Sequence, residues 1–400
     1  MRTCDFFHVG TGGLKERYLK VMKIKLVEAE IGRRQKYADV HPRGDVMESL
    51  IQSVTGQSSK VEDDSGTIDR IKIAVVGVGG GGNNTLSRLL KYGVKGCDLI
   101  AVNTDNQHLL TLDERIQKIL VGKSITRGLG AGGFIEVGQK AAEIDKPLIE
   151  RAIRDCQLVF ICAGMGGGSG TGGAPVVAQV AKEQGAITVA MVTYPFALEK
   201  ARRNKADEGI AKLRKLTDSV IIIDNNRLVQ LVPNLPMNEA FGVADEILAR
   251  AIGGLIWTIT QPSLINIDFA DVRAIMGNGG VGFIAVGEGR GTNKVESASE
   301  GVLKNRLLDV DFEGATGALI HISGGNDLTL GDAIKAGEII TERMDPKANV
   351  KWGARLIPGY DGKIEIVAIV TGVKGASIAG TPLMEEKGTP GLYGDIEIIG

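Results

Sequence analysis

Charge imbalance, aromatic residues and long apolar runs are all scarce in this chain, and each shortage removes a class of function. Lysine and arginine number 47 against 48 acidic residues, a formal net charge of -1, so no whole-protein field draws the chain to nucleic acid. Aromatic residues make up only 4% of the sequence, too few to expect ring platforms that stack bases. There is no uncharged apolar run of about 18 residues and no secretory apolar core, so neither direct membrane insertion nor export by that route is expected. Cys4, Cys97, Cys156 and Cys162 form no C-x-x-C pair, and His8, His41, His108 and His321 show no metal-ligand spacing. A reducing, cytoplasmic setting and no protein-built metal site are the corresponding expectations.

Glycine is the opposite case, with 56 residues, many of them in clusters. The densest cluster is Gly164-Met165-Gly166-Gly167-Gly168-Ser169-Gly170-Thr171-Gly172-Gly173, between the apolar run 158–162 and the helix-like run 174–180. A turn so rich in glycine loses more backbone entropy on folding than mere chain reversal requires. Without Cβ atoms, successive N–H groups can face one concavity, and the following helix adds its unpaired N–H groups and the positive end of its dipole. Both suit a phosphate chain, with Ser169 and Thr171 as further hydroxyl donors. A packing turn or a linker is the plainer alternative.

A second cluster, Gly77-Val78-Gly79-Gly80-Gly81-Gly82, follows the strand-like run 71–76 and matches G-x-G-x-x-G, with Asn83 and Asn84 opening a helix to about Tyr92. The next strand, 98–103, leads to Asp105, where a dinucleotide-binding fold places its ribose-binding acid. A nicotinamide enzyme is therefore one reading of this segment. Gly122-Lys123-Ser124 has the ending of a Walker A loop, but the leading glycine is replaced by Gln117 and no strand is expected to lead in at the right distance. Arg127 to Gly133 forms a third backbone-donor loop, followed by a helix.

Strands and helices continue to alternate through 187–192, 198–216 and 219–223, which implies right-handed crossovers and a parallel sheet with its ligand at the carboxyl edge. Residues 237–260 then carry an apolar stripe too wide for a surface helix, as expected of a helix between two layers. Strands at 283–287, 318–322 and 364–370 and helices at 295–308 and 330–343 read as a second α+β domain. Residues 1–66 are expected to be a partly disordered extension with one short helix at 46–54, and Met22 and Met47 are alternative starts to Met1. Residues 375–400 read as a flexible tail ending in the acidic-apolar segment 392–399.

Gly166 to Gly172 resembles the G-G-G-[ST]-G-[ST]-G signature of the tubulin/FtsZ superfamily, and Asn266-Ile267-Asp268-Phe269-Ala270-Asp271 resembles the N-x-D-x-A-D loop of FtsZ. The resemblance covers about 68–373, takes in Val102 to Asp105, Pro195-Phe196 and Ala240-Phe241-Gly242, and is greatest to archaeal-type FtsZ. It implies an α/β fold: a Rossmann-type GTPase domain with a parallel sheet (67–236), a long central helix (237–261) and a second α+β, activation domain (262–374). It also implies that GTP or GDP is held by Gly79, Gly80, Gly81, Gly82, Asn83, Asn103, Asp105, Ala131, Gly132, Gly133, Gly166, Gly167, Gly168, Ser169, Gly170, Thr171, Gly172, Pro195, Glu199 and Arg203. Asn225 and Asp245 would read guanine, and Phe241 would stack on it. Asn266, Asp268 and Asp271 would complete catalysis with Mg²⁺ across a head-to-tail contact with a second copy. Two positions depart from the usual pattern: Ser169 replaces a common threonine, and Lys200 follows Glu199 where glycine is usual.

The functions implied are GTP hydrolysis, filament assembly and cell division at a cytoplasmic division site, with a membrane-anchoring protein docking on the tail and no nucleic-acid partner. A related filament former that shapes cells is an alternative. Plainer readings also exist for single residues: core filling for Phe241, an exposed i,i+4 ion pair for Glu199 and Arg203, and a helix cap for Asp268 and Asp271.

Overall fold

The computed structural model describes residues 71–227, 234–260, 264–265, 267–277, 281–304 and 313–373, with 377–378 and 381–382. The N-terminal extension with its expected helix, Asn266 and the tail segment 392–399 lie outside the described residues.

Apolar runs rich in β-branched residues become buried strands, and the amphipathic runs between them become crossover helices. In chain order the first half holds β1 (Ile73–Val78), α1 (Gly79–Tyr92), β2 (Asp98–Asn103), α2 (Asn106–Leu110), β3 (Gln117–Leu120), α3 (Lys123–Thr126), α4 (Ile135–Ile144), α5 (Lys146–Ala152), β4 (Leu158–Gly164), α6 (Gly168–Glu183), β5 (Ile187–Tyr194), α7 (Lys200–Leu216) and β6 (Ser219–Asp224). The second half holds α8 (Met237–Thr260), α9 (Phe269–Met276), β7 (Val281–Arg290), α10 (Lys294–Leu303), β8 (Gly317–Gly324), α11 (Leu330–Thr341), β9 (Asn349–Leu356) and β10 (Lys363–Thr371).

These strands form a ten-stranded sheet in the order β3-β2-β1-β4-β5-β6-β7-β10-β8-β9. The six strands of the first half are all parallel. β10 pairs antiparallel with β7 and β8, and β8 pairs parallel with β9. The strands of the first half and those of the expected second α+β domain are joined by a short parallel register at Val220–Val281 and Ile221–Gly282.

α8 explains why its apolar stripe is so wide. Leu248, Ile252, Leu255 and Ile256 share one core cluster with Val75, Leu86 and Leu89 from the first half and with Leu319, Val367 and Ile369 from the second. Burying each such side chain contributes about 1.5–3 kcal/mol relative to leaving it exposed. The opposite face of the parallel sheet packs on α6 and α7 through Val177, Ala178, Ile210 and Leu213.

Three expectations are corrected. α1 begins at Gly79, not at Asn83, so Gly77 and Val78 close β1 and Gly79 to Gly82 form the first turn of the helix. β3 and β9 were not foreseen. β3 occupies the place of the loop before Gly122-Lys123-Ser124 rather than leading into it, while Lys123 is exposed in a four-residue helix and Gly122 is packed against Ala141.

Candidate functional site

β1 and β4 lie side by side in register, from Ile73 opposite Leu158 to Val78 opposite Ala163, so the helices that follow them start together at the carboxyl edge. The glycines permit this approach. A Cβ on Gly82 would lie 2.1 Å from the Cys162 carbonyl oxygen, one on Gly79 would lie 2.8 Å from the Gly170 nitrogen, and one on Gly170 would lie 2.6 Å from the Gly164 oxygen. Gly168 and Gly172 are equally closed, against Phe134 and Ile135 backbone. At Gly80, Gly130, Gly132, Gly133 and Gly167 a Cβ would instead meet only side-chain atoms, at ordinary contact distances of 3.4 to 4.0 Å. Some glycines therefore bring two helix N-termini together, and others leave the backbone beside them open to approach. Among the described residues no side chain caps α1 or α6, an arrangement whose first-turn N–H groups and positive dipole ends suit an anion.

The wall beside this edge is built from β2 and the loop after α3. Asn103 Oδ1 accepts from the Thr104 and Asp105 nitrogens at 2.9 and 3.3 Å, and the Thr104 hydroxyl meets Ser169 Oγ at 2.6 Å, tying β2 to the start of α6. Gly130 N donates to Thr104 O, and Asn106 N to Gly128 O, which hold the glycine-rich loop on that strand end. Arg127, Gly128, Gly130, Gly132 and Gly133 all have positive φ, the backbone that curls the loop inward. The Asp105 carboxylate is engaged as the N-cap of α2, accepting from Gln107 and His108 nitrogens. Asn83 is fully buried; with its amide nitrogen toward the Gly77 and Gly79 carbonyls, its oxygen accepts from Asn103 Nδ2 at 3.2 Å. Thr171 is also fully buried, and its hydroxyl oxygen accepts from Gly166 N at 2.8 Å, so it shapes the turn from within.

α7 supplies the second wall. Glu199 pairs with Arg202, three residues on, and accepts from Phe196 N at 3.0 Å, which replaces the expected i,i+4 pair with Arg203. Arg203 lies over the Tyr194 ring at 5.6 Å, and its buried Nε has no hydrogen-bond partner among the described residues. Such an orphaned donor fits an anionic or oxygen-rich ligand. Burial, and then the bond to Asp207, pushes the Tyr194 hydroxyl above its ordinary value. Lys205 Nζ donates to Gly133 O at 2.6 Å and so braces the glycine-rich loop from α7. Asn225 follows β6 at the same edge, while its neighbour Asn226 accepts from Ala197 N and steadies the loop that begins at Pro195.

Asp245 of α8 is held by Thr85 of α1, whose hydroxyl donates to Oδ1 at 3.0 Å. Burial pushes its carboxyl up to about 6, against the opposing effects of Thr85 and Arg88. Phe241 belongs to α8, but its side chain lies outside the described residues.

Asp268 and Asp271 stand elsewhere. α1 and α8 run side by side from the Thr85–Asp245 bond to the Tyr92–Trp257 stack, and Thr260 ends against Gly96, ahead of β2 and therefore at the opposite edge of the sheet. The 24 residues of α8 span about 36 Å at 1.5 Å each. Beyond it, Ile265 pairs with Ala354 of β9 in an antiparallel bridge. Asp268 is the N-cap of α9, accepting from Asp271 N at 2.7 Å, and Asp271 forms an ion pair with Lys351 Nζ at 2.8 Å. The cap reading thus holds for Asp268, and Lys351 first, then the Asp268 contact, keeps the Asp271 carboxyl below its ordinary range. Thr104, Arg202, Lys205, Asn226 and Lys351 were not among the expected site residues; Arg202 joins through an i,i+3 pair with Glu199 and a contact to Gly166 O, and the others through partners distant in sequence.

Residues 72–233 match the family model described as Tubulin/FtsZ family, GTPase domain, and residues 280–374 match that of the FtsZ family, C-terminal domain. The architecture and the glycine-lined edge are thus those of tubulin-like GTPases. Cell division protein FtsZ 2 of Methanocaldococcus jannaschii is 57% identical over 313 residues, 77% of this chain and 82% of that one. Cell division protein FtsZ 2 of Haloferax volcanii is 51% identical over 322 residues, 80% of each chain. The solved FtsZ dimer of M. jannaschii superposes with a TM-score of 0.72 at 43% identity, covering 82% of this chain and 92% of that one. CetZ2 of Haloferax volcanii, at 23% identity and a TM-score of 0.65, shares the fold. The chain belongs to the FtsZ family of cell division proteins.

Proposed function

We propose that the protein binds GTP at the glycine-lined edge, assembles head to tail into filaments that act in cell division, and hydrolyses GTP where one subunit meets the next. The observation that carries this reading is the separation within one chain. Two uncapped helix N-termini and an orphaned Arg203 donor lie at one edge, and the carboxylates of Asp268 and Asp271 lie past the far end of α8. In this reading residues 67–236 bind nucleotide, 237–261 form the connecting helix, 262–374 carry the activating loop, and 375–400 tether a membrane-anchoring protein.

Backbone N–H groups of Gly79 to Gly82 and Gly166 to Gly172 hold the phosphates, with Ala131 to Gly133 beside the γ-phosphate and Ser169 adding a hydroxyl. Glu199 and Arg203 border the ribose and phosphate edge, where each charge-assisted bond contributes about 1.5–3 kcal/mol. The Asp245 carboxylate accepts from the ring N–H and exocyclic amine of guanine, a pair of adjacent donors that adenine lacks on that edge. Asn225 adds an amide and Phe241 a stacking face. A Mg²⁺ ion bound with the nucleotide would neutralise charge on its phosphates.

Asp268 and Asp271 of one subunit orient and polarise the water that attacks the γ-phosphate bound by its neighbour. A contact between unlike faces propagates as an open filament. Titration with guanine and nicotinamide nucleotides, followed by light scattering on addition of GTP, tests the reading. GTP binding with a GTP-dependent rise in scattering is expected; binding of NAD without GTP would overturn it.

A further inference from the structure

β9 is an edge strand, and it carries more than sheet pairing. Its Ala354 exchanges hydrogen bonds with Ile265, N to O at 3.2 Å and 3.3 Å in the two directions, and also accepts from Leu264 N at 2.9 Å. These bonds anchor the loop that leads to Asp268 directly onto the strand. Three residues before Ala354, Lys351 reaches Asp271, while the Asp271 nitrogen is held by Asp268. The strand therefore fixes both the backbone of the loop and one of its two carboxylates.

We propose that Lys351 is a positioning residue for the shared active site: it holds the Asp271 carboxylate in place and supplies the positive charge that lets the acidic loop approach a neighbouring subunit's triphosphate. The inference rests on the head-to-tail reading given above. Its physical basis is the charge sign of the two faces. Asp268 and Asp271 are two negative groups, and the nucleotide they would approach is strongly anionic; without a cation at that face the two surfaces repel as they close. The charged groups facing Asp271 are Lys351 from β9 and Asp268 from the loop, while the Arg273 guanidinium of α9 lies over the Phe269 ring at 5.5 Å. Lys351 is thus the cation bonded to Asp271, and it is half-exposed, so the pair sits on the surface where a second copy would dock.

The relation also has a pH sign. Lys351 lowers the Asp271 carboxyl, so the ionised form persists to lower pH than it would alone. Removing the amine raises that carboxyl, and the acid limb of turnover measured at saturating GTP, where bound guanine keeps Asp245 ionised, moves to higher pH.

The test uses the full-length chain with Lys351→Met, Lys351→Arg and Asp271→Ala, all compared for melting temperature and for GTP binding below the assembly threshold. Lys351→Met should bind GTP as the parent does, lose turnover about ten- to a hundredfold at saturating assembly, and show the shifted acid limb. Its critical concentration should rise at low salt and approach the parent's at high salt, where exposed charges are screened. Lys351→Arg should restore turnover, acid limb and critical concentration. If Lys351→Met fails to fold, Lys351→Gln replaces it. Parental turnover and an unshifted acid limb in Lys351→Met, with Asp271→Ala inactive, would overturn the role of Lys351 alone. Parental turnover in Asp271→Ala would overturn the shared-site reading beneath it.

Discussion

The Thr85 hydroxyl donates to Asp245 across 160 positions of sequence, joining α1 to the long helix α8, whose core cluster reaches both halves of the sheet. Asp245 is at once desolvated and hydrogen-bonded, and its carboxyl lies near 6 as a result. Guanine recognition requires the ionised form. GTP affinity should therefore be constant above neutrality and fall about tenfold per pH unit once the pH drops below the free protein's value. Thr85→Val removes a bond that lowers this value, so the fall should begin at higher pH. Calorimetric titration across pH 5 to 8 reads both effects; a flat profile would separate Asp245 from base recognition.

The glycines divide into two experimental classes. Gly82→Ala forces a Cβ against the Cys162 carbonyl, and repacking of this kind costs about 1–3 kcal/mol. The melting temperature should drop by several degrees. Gly80→Ala meets only the tip of His108 at 4.0 Å and sits in a helix, where alanine is favoured by up to about 1 kcal/mol. That variant should melt no lower than the parent and yet bind GTP more weakly, because the new methyl enters the phosphate site. Equal stability losses in the two variants would contradict the division.

Asp271→Ala should leave GTP binding intact, permit assembly and reduce turnover by a factor of about 10² to 10⁴. Filaments should then persist long after wild-type filaments have decayed, as sedimentation at fixed intervals would record. Rapid filament decay with normal phosphate release would rule out a catalytic part for this carboxylate.

Truncation after Gly391 should spare turnover and assembly while abolishing recruitment of a membrane-anchoring partner. Co-sedimentation with vesicles carrying that partner checks this; unchanged recruitment would remove the tail from the account.

The glycine clusters, the alternating strands and the wide stripe of α8 were legible because each leaves a local pattern in the sequence. β9 was not, although Val350, Trp352, Ala354 and Leu356 alternate with Lys351, Gly353 and Arg355; as an edge strand it is buried only in part and lacks the continuous apolar run that marked the other strands. β3 is four residues long, with two exposed, and offers too little periodicity to register. The site followed the same rule. Backbone donors could be read from composition, but the separate roles of Gly80 and Gly82 depend on what lies across from them. The Asp271–Lys351 pair joins residues 80 positions apart, and the exchange of Arg203 for Arg202 as the partner of Glu199 depends on how α7 packs on the turn at Gly166. The capping bond of Asp268 was legible as an alternative use of the same residue, and the structure shows that bond in place.

Specific GTP turnover as a function of protein concentration tests the central claim most directly. If the catalytic carboxylates act on a neighbour's nucleotide, phosphate release per subunit stays near zero in monomeric solution and rises above a critical concentration that coincides with the onset of sedimentable polymer. Turnover per subunit that is independent of concentration, down to solutions shown to be monomeric, would contradict the shared active site.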